Sequence, residues 1–297
     1  MKPGIHQITM SEYLALKALS SGLCHALLTS SPFHAKYEQD NGSFDDTDAS
    51  DMGTAIHDAL LEGIDRIAVI EADDWRTKAA KEARDAARAA GKIPMLARKV
   101  AQVEAAAKEA RDFIDGKSGH KPSEIAGVFD GGKPEQTLIW KEGDILCKAR
   151  PDWLTEDRSI MLHVKTTAGS AEPSSWIRNQ LAPMGYDVAA EFYDRGLATI
   201  AGTHSGSECL TVFLVIEQNA PHGCSLVSLS PAMQDLASRK VDRAIRIWQE
   251  CQASGRYPCY PSRICYAEPQ NWQLIEAEGW ATEDQYDQKQ MEHGLQP

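Results

Sequence analysis

The sequence predicts an α/β fold in which a helical N-terminal part caps a core of order α-β-β-β-α-β. Two observations carry most of this. Residues 136–140, 144–150 and 159–165 are three short apolar runs, the first two joined by Glu142-Gly143-Asp144, a tight hairpin signal. Residues 173–195 then place Trp176, Ile177, Leu181, Val188 and Phe192 at helical spacing, and 209–216 is apolar enough for a strand buried on both faces.

The elements follow in order. The first 35 residues read as helical through Leu14, Leu16, Leu19, Leu23, Leu27 and Leu28, with a stop at Ser31-Pro32. An acidic loop carrying Glu38, Asp40, Asp45, Asp46, Asp48 and Asp51 leads to a buried helix marked by Ala55, Ile56, Ala59 and Leu60. Residues 75–113 form an Ala-rich helical pair broken at Gly91-Lys92-Ile93-Pro94, where glycine ends one helix and proline starts the next. Beyond the core, Cys224–Leu229 reads as a further strand, 231–253 as a long helix, and the remainder as an irregular acidic tail. The expected organisation is a helical part, 1–126, packed on an α/β core, 127–297, as a single structural unit.

A chain of 297 residues buries a core without staples. With 42% hydrophobic and 25% charged residues, it is excluded from the disordered, collagen-like and disulfide-scaffold classes. Seven scattered cysteines suit a reducing cytosol. No apolar run approaches the roughly 18 residues of a membrane helix, and the N-terminus lacks the apolar stretch of a signal peptide. The expectation is a cytoplasmic protein without a membrane partner. The net charge of −12 excludes a body coated in basic charge, yet residues 76–113 hold ten Lys/Arg against five Asp/Glu. That reversal reads either as a phosphate-facing surface or as a solvated helical face.

Asp152 ends one strand, and His163 and Lys165, two apart on the next, point to the same face. A carboxylate beside an X-x-Lys pair is a frame for metal-dependent phosphodiester hydrolysis. The acid holds a divalent cation, and the lysine orients water or stabilises charge at phosphorus. Each residue alone has an ordinary reading. His57 suits a core histidine, Asp152 a turn cap, Lys165 a strand-end cation and Glu135 an exposed acid.

Their joint order changes that. Gly53-Thr-Ala-Ile-His-Asp-Ala-Leu-Leu-Glu62, Glu135-Gln-Thr-Leu-Ile-Trp140, Cys147-Lys-Ala-Arg-Pro-Asp-Trp153 and His163-Val-Lys-Thr-Thr167 resemble the PD-(D/E)XK nuclease superfamily. Within it, they look like the RecE-type (exonuclease VIII-like) domain of phage and prophage recombination proteins, over roughly residues 20–275. Gly185-Tyr186 and Ala190-Glu-Phe-Tyr193 resemble the helix carrying that family's Tyr…Gln signature.

The resemblance implies a restriction-endonuclease-like core acting on double-stranded DNA ends with Mg²⁺ or Mn²⁺. It implies His57, Glu135, Asp152 and His163 as metal ligands, with Glu135 beginning the first core strand. Asp152, His163 and Lys165 become the catalytic set, and Arg150, Thr166 and Tyr186 DNA contacts. It further implies a homo-oligomer, a single-strand annealing partner, and a phage or prophage origin in a bacterial host. Among the tryptophans, Trp176 is the candidate for stacking on a base.

Two positions depart from the pattern. His163 stands where the family has an acid, and Ala189 where it has glutamine. Imidazole adds no negative charge and suits softer ions than Mg²⁺, so the alternative is a catalytically degenerate protein that binds DNA or a partner without cutting. Cys24, Cys251, Cys259 and Cys265 resemble part of an Fe–S pattern in another branch, but the step from Cys251 to Cys259 is longer than its usual close pair. The reading is therefore of thiols without a cluster.

Overall fold

In the computed structural model, the chain opens with strand β1 (Gly4–His6) and helices α1 (Met10–Ala15), α2 (Ser21–Thr29), α3 (Pro32–Asn41) and α4 (Asp48–Leu61). Residues 1–42, 48–203 and 209–280 are described, so Asp45 and Asp46 of the expected acidic loop lie outside the described residues, as does the tail beyond 280. Ser31-Pro32 starts a helix rather than stopping one. Ser31 accepts a hydrogen bond from the His34 N–H, and proline occupies the first helical turn, where no donor is needed.

Next come β2 (Ile67–Ile70), α5 (Lys78–Ala89), β3 (Ile93–Leu96) and α6 (Ala97–Asp115). The break expected to join two helices is itself a strand. Ile93-Pro-Met-Leu pairs in parallel with β2 in a two-stranded sheet, where each strand has a free edge and the missing N–H of Pro94 is tolerated. The second helix therefore begins at Ala97.

The core supplies β4 (Gly132–Pro134), β5 (Thr137–Glu142), β6 (Ile145–Ala149), β7 (Trp153–Thr155), β8 (Ile160–Thr167), α7 (Pro173–Trp176), a π-helical turn at Ile177–Leu181, α8 (Tyr186–Ala201), β9 (Leu210–Glu217), β10 (Cys224–Val227) and α9 (Pro231–Ser254). The expected helix over 173–195 is thus two helices and a π turn. Five strands run β10-β9-β8-β7-β4, parallel only between β8 and β9, while β1-β5-β6 form an antiparallel sheet of three. The chain changes sheet at Arg150-Pro151-Asp152, where proline cannot donate to a continuing ladder.

Alternation along β9 divides the core. Val212, Leu214 and Ile216 pack with Ile56, Leu60, Val103 and Ala107 of α4 and α6, whereas Phe213 and Val215 face Trp176 and Leu181. A third cluster joins Leu138, Trp140 and Cys147 to Cys24, Phe192 and Trp248, so α2, α8 and α9 cover the smaller sheet. Gly196 of α8 lets the Trp140 ring approach, since a Cβ there would lie 2.7 Å from the indole. Gly196→Ala is expected to destabilise the protein by about 1–3 kcal/mol through overpacking, read as a lowered midpoint in urea at unchanged slope.

Met1–Cys259 form one compact unit, within which the expected 126/127 boundary falls, and Tyr260–Pro297 a second. In the second, residues 271–280 are helical and exposed. No helix among the described residues is long and apolar enough to cross a membrane.

Candidate metal centre

The two changes of sheet build the site. One is the step from β4 to β5, holding Glu135, and the other is the step from β6 to β7, holding Asp152. The Glu135 N–H donates to the Asp152 carbonyl at 3.1 Å, so the two turns are tied back to back. Glu135 lies between β4 and β5 instead of beginning a strand, with its main chain in the left-handed region at φ 55°. Asp152 is fixed to β8 because its Oδ2 accepts the Val164 N–H at 2.7 Å. Ile56 and Leu60 bury the inner face of α4 and leave His57, on the intervening turn, at the edge of the core.

His57 Nε2 lies 3.4 Å from Glu135 Oε1 and 3.6 Å from Asp152 Oδ1. One donor atom from each of the three residues falls within 4.8 Å of the others. Donors bound to one ion at about 2.1 Å, at tetrahedral or octahedral angles, stand about 3.0–3.4 Å apart, so one imidazole and two carboxylates here need only small movements to share a divalent cation.

The charges agree with that use. Burial opposes ionisation of Asp152, but Lys165 and His57 hold it well below the usual carboxylate range. Burial also opposes a charge on His57, yet Asp152, Asp58 and Glu135 outweigh it and push its pKa up to about 10. Burial raises Glu135 against the pull of Arg150. Lys165 Nζ stands 3.5 Å from Asp152 Oδ2 and 5.3 Å from the centre of the Tyr186 ring. Burial works against its charge, but Asp152 and the tyrosines raise its pKa above the usual value. With its pKa at about 10 the His57 ring is protonated at neutral pH, so a divalent cation binding beside the two carboxylates would take the place of its Nε2 proton, with Lys165 on the far side.

Not every expected residue joins this group. His163 is 2% exposed, packed between Tyr193 and Phe213 at ring separations of 5.0 and 5.4 Å, with Nε2 unpartnered. It lies outside the three-residue ligand set, and burial lowers its pKa to about 4, leaving a neutral ring. Trp176, expected to stack on a base, is buried and stacked on Tyr186 at 5.7 Å. Arg150, expected near a phosphate, is engaged by Glu135, the Ile8 carbonyl (2.8 Å) and Thr137 Oγ1 (3.1 Å). Arg150, Thr166 and Tyr186 all line a cleft of 870 Å³ shared with His57, Glu135 and Lys165. Cys24 and Cys251 are buried in the first unit, Cys259 is exposed, and Cys265 belongs to the second unit.

The cleft also holds residues that sequence reasoning missed. Gln218, at the end of β9, donates to Thr166 Oγ1 at 3.1 Å. Asp58, beside His57, is 2% exposed and ion-paired with Arg66. A carboxylate adjacent to a candidate ligand was the available signal for Asp58. Nothing in the linear pattern singles out Gln218.

A family model described as a PDDEXK-like domain of unknown function (DUF3799) matches residues 16–269. A solved structure from Eubacterium rectale, provisionally described as an exonuclease, superposes with a TM-score of 0.53 at 9% identity, covering 91% of this chain and 98% of its own. That likeness is one of fold. A second solved structure, SSO0001, covers 76% of this chain and 100% of its own at 12% identity, but its TM-score of 0.26 bears no argument. No curated protein matches the sequence.

Proposed function

The chain belongs to the PDDEXK-like family (DUF3799), and from that membership we propose that it is a metal-dependent DNA exonuclease acting at double-stranded ends. The observation that carries this is the placement of one carboxylate. Asp152 presents Oδ1 to His57 and Oδ2 to Lys165, so it links a cation-binding set to a lysine. His57, Glu135 and Asp152 would hold a divalent ion, which when bound neutralises the scissile phosphate and activates water. Lys165 orients the attacking water or stabilises charge developing at phosphorus. Arg150 orients Glu135, and Thr166 and Tyr186 offer the cleft wall to the DNA backbone. A RecE-type role in phage recombination, in the cytoplasm of a bacterial host, as a homo-oligomer with an annealing partner, completes the proposal.

The full chain is expected to degrade linear duplex with Mn²⁺, several-fold more slowly with Mg²⁺, and not at all with a chelator. Imidazole suits the softer ion, and two carboxylates are a sparse set for Mg²⁺. Covalently closed circles should survive. Cutting of the circle would replace the exonuclease with an endonuclease.

One observation favours the alternative of a non-cutting DNA-binding protein: His163 is neutral, buried and outside the ligand set. Should wild type cut with neither ion while His163→Asp does, the chain is a nuclease silenced at that position. Should neither cut while both bind duplex, the binding role stands.

A further inference from the structure

We infer that Asp58 is a positioning residue for the metal centre, holding the Nδ1–H of His57 so that Nε2 faces Glu135 and Asp152. The inference rests on the metal-centre reading above. The His57 ring is engaged at both nitrogens: Nδ1 lies 3.3 Å from Asp58 Oδ1, and Nε2 faces the two ligand carboxylates at 3.4 and 3.6 Å. A neutral imidazole carries one proton and one lone pair, and only the lone pair binds metal. Without a partner at Nδ1, the ring is free to rotate and to carry its proton on either nitrogen. A carboxylate at Nδ1 fixes both rotation and tautomer, as partners of ligating histidines do in metal sites generally.

Asp58 is held in place by its surroundings. It is 2% exposed, and its second oxygen lies 2.9 Å from Arg66 Nη1, which also stands 3.7 Å from Glu62 Oε2. Because both residues ride on α4, the Asp58–His57 contact travels with the helix that carries the ligand. A purely structural Asp58–Arg66 pair would need nothing from His57, and the experiment separates the two roles.

Mn²⁺ titration of the full chain by calorimetry, without DNA, is expected to show about 10–100-fold weaker binding in Asp58→Ala than in wild type. Asp58→Asn keeps an acceptor for the Nδ1–H but loses the charge facing Arg66, and should recover most of the affinity. In ¹⁵N-histidine-labelled protein with Mg²⁺, a protected Nδ1–H signal, assigned to His57 by its loss in His57→Gln, should appear in wild type and Asp58→Asn and vanish in Asp58→Ala. Wild-type affinity and a retained Nδ1–H signal in Asp58→Ala would overturn the inference. So would Asp58→Asn as weak as Asp58→Ala, which would make the Arg66 pair the active element. If wild type binds no Mn²⁺, the metal-centre reading itself fails, and this inference with it.

Discussion

Asp152→Asn should leave the protein folded and cut metal-dependent DNA hydrolysis by about 10³-fold or more, since charge stabilisation by the ion is worth several kcal/mol and each 1.36 kcal/mol is tenfold. The substitution keeps shape and volume. The new amide oxygen can still accept the Val164 N–H if the group is oriented correctly, so the β7–β8 junction need not open. What goes is the charge that faces His57 and Lys165. Hydrolysis of end-labelled linear duplex in Mn²⁺, beside circular dichroism of the same preparation, checks both halves. A folded mutant cutting at the wild-type rate would remove Asp152 from the metal centre.

Lys165→Ala is expected to lose about 10²–10³-fold in cleavage rate, the usual cost of deleting one group that stabilises transition-state charge. Duplex affinity should stay within a few-fold, because one cation among several phosphate contacts carries little of the binding. Cleavage and filter-binding assays at one fixed salt concentration separate the two effects. Normal cleavage would make Lys165 structural. Lost binding would make it a docking residue.

The elements legible in the sequence are those with a long periodic signal. The hairpin around Gly143, the buried β8–β9 pair and α9 all fall within a residue or two of where patterning puts them. The short strands β1, β4 and β7 span three residues each, too few to display alternation. Pro94 and Pro32 misled for a common reason: proline marks a missing donor, and the surroundings decide whether that lies in a helix's first turn or in a strand with a free edge. For the site, the order of His57, Glu135, Asp152 and Lys165 was readable as a motif. The displacement of His163 was not, because an alternating strand fixes the face of a residue and not its depth. At position 163 the neighbouring aromatics, Tyr193 and Phe213, come from α8 and β9 and enclose the ring.

The left-handed main chain of Glu135 has an implication for how such proteins diverge. At φ 55° an ordinary L-residue pays about 1 kcal/mol or more that glycine does not. That relief is opposed at the same residue. Glu135 pairs with Arg150, whose side chain is 10% exposed, so glycine here would strand a largely buried cation without its carboxylate. The stranded charge outweighs the strain, and the acid is held at position 135 by its neighbour whether or not the chemistry is in use.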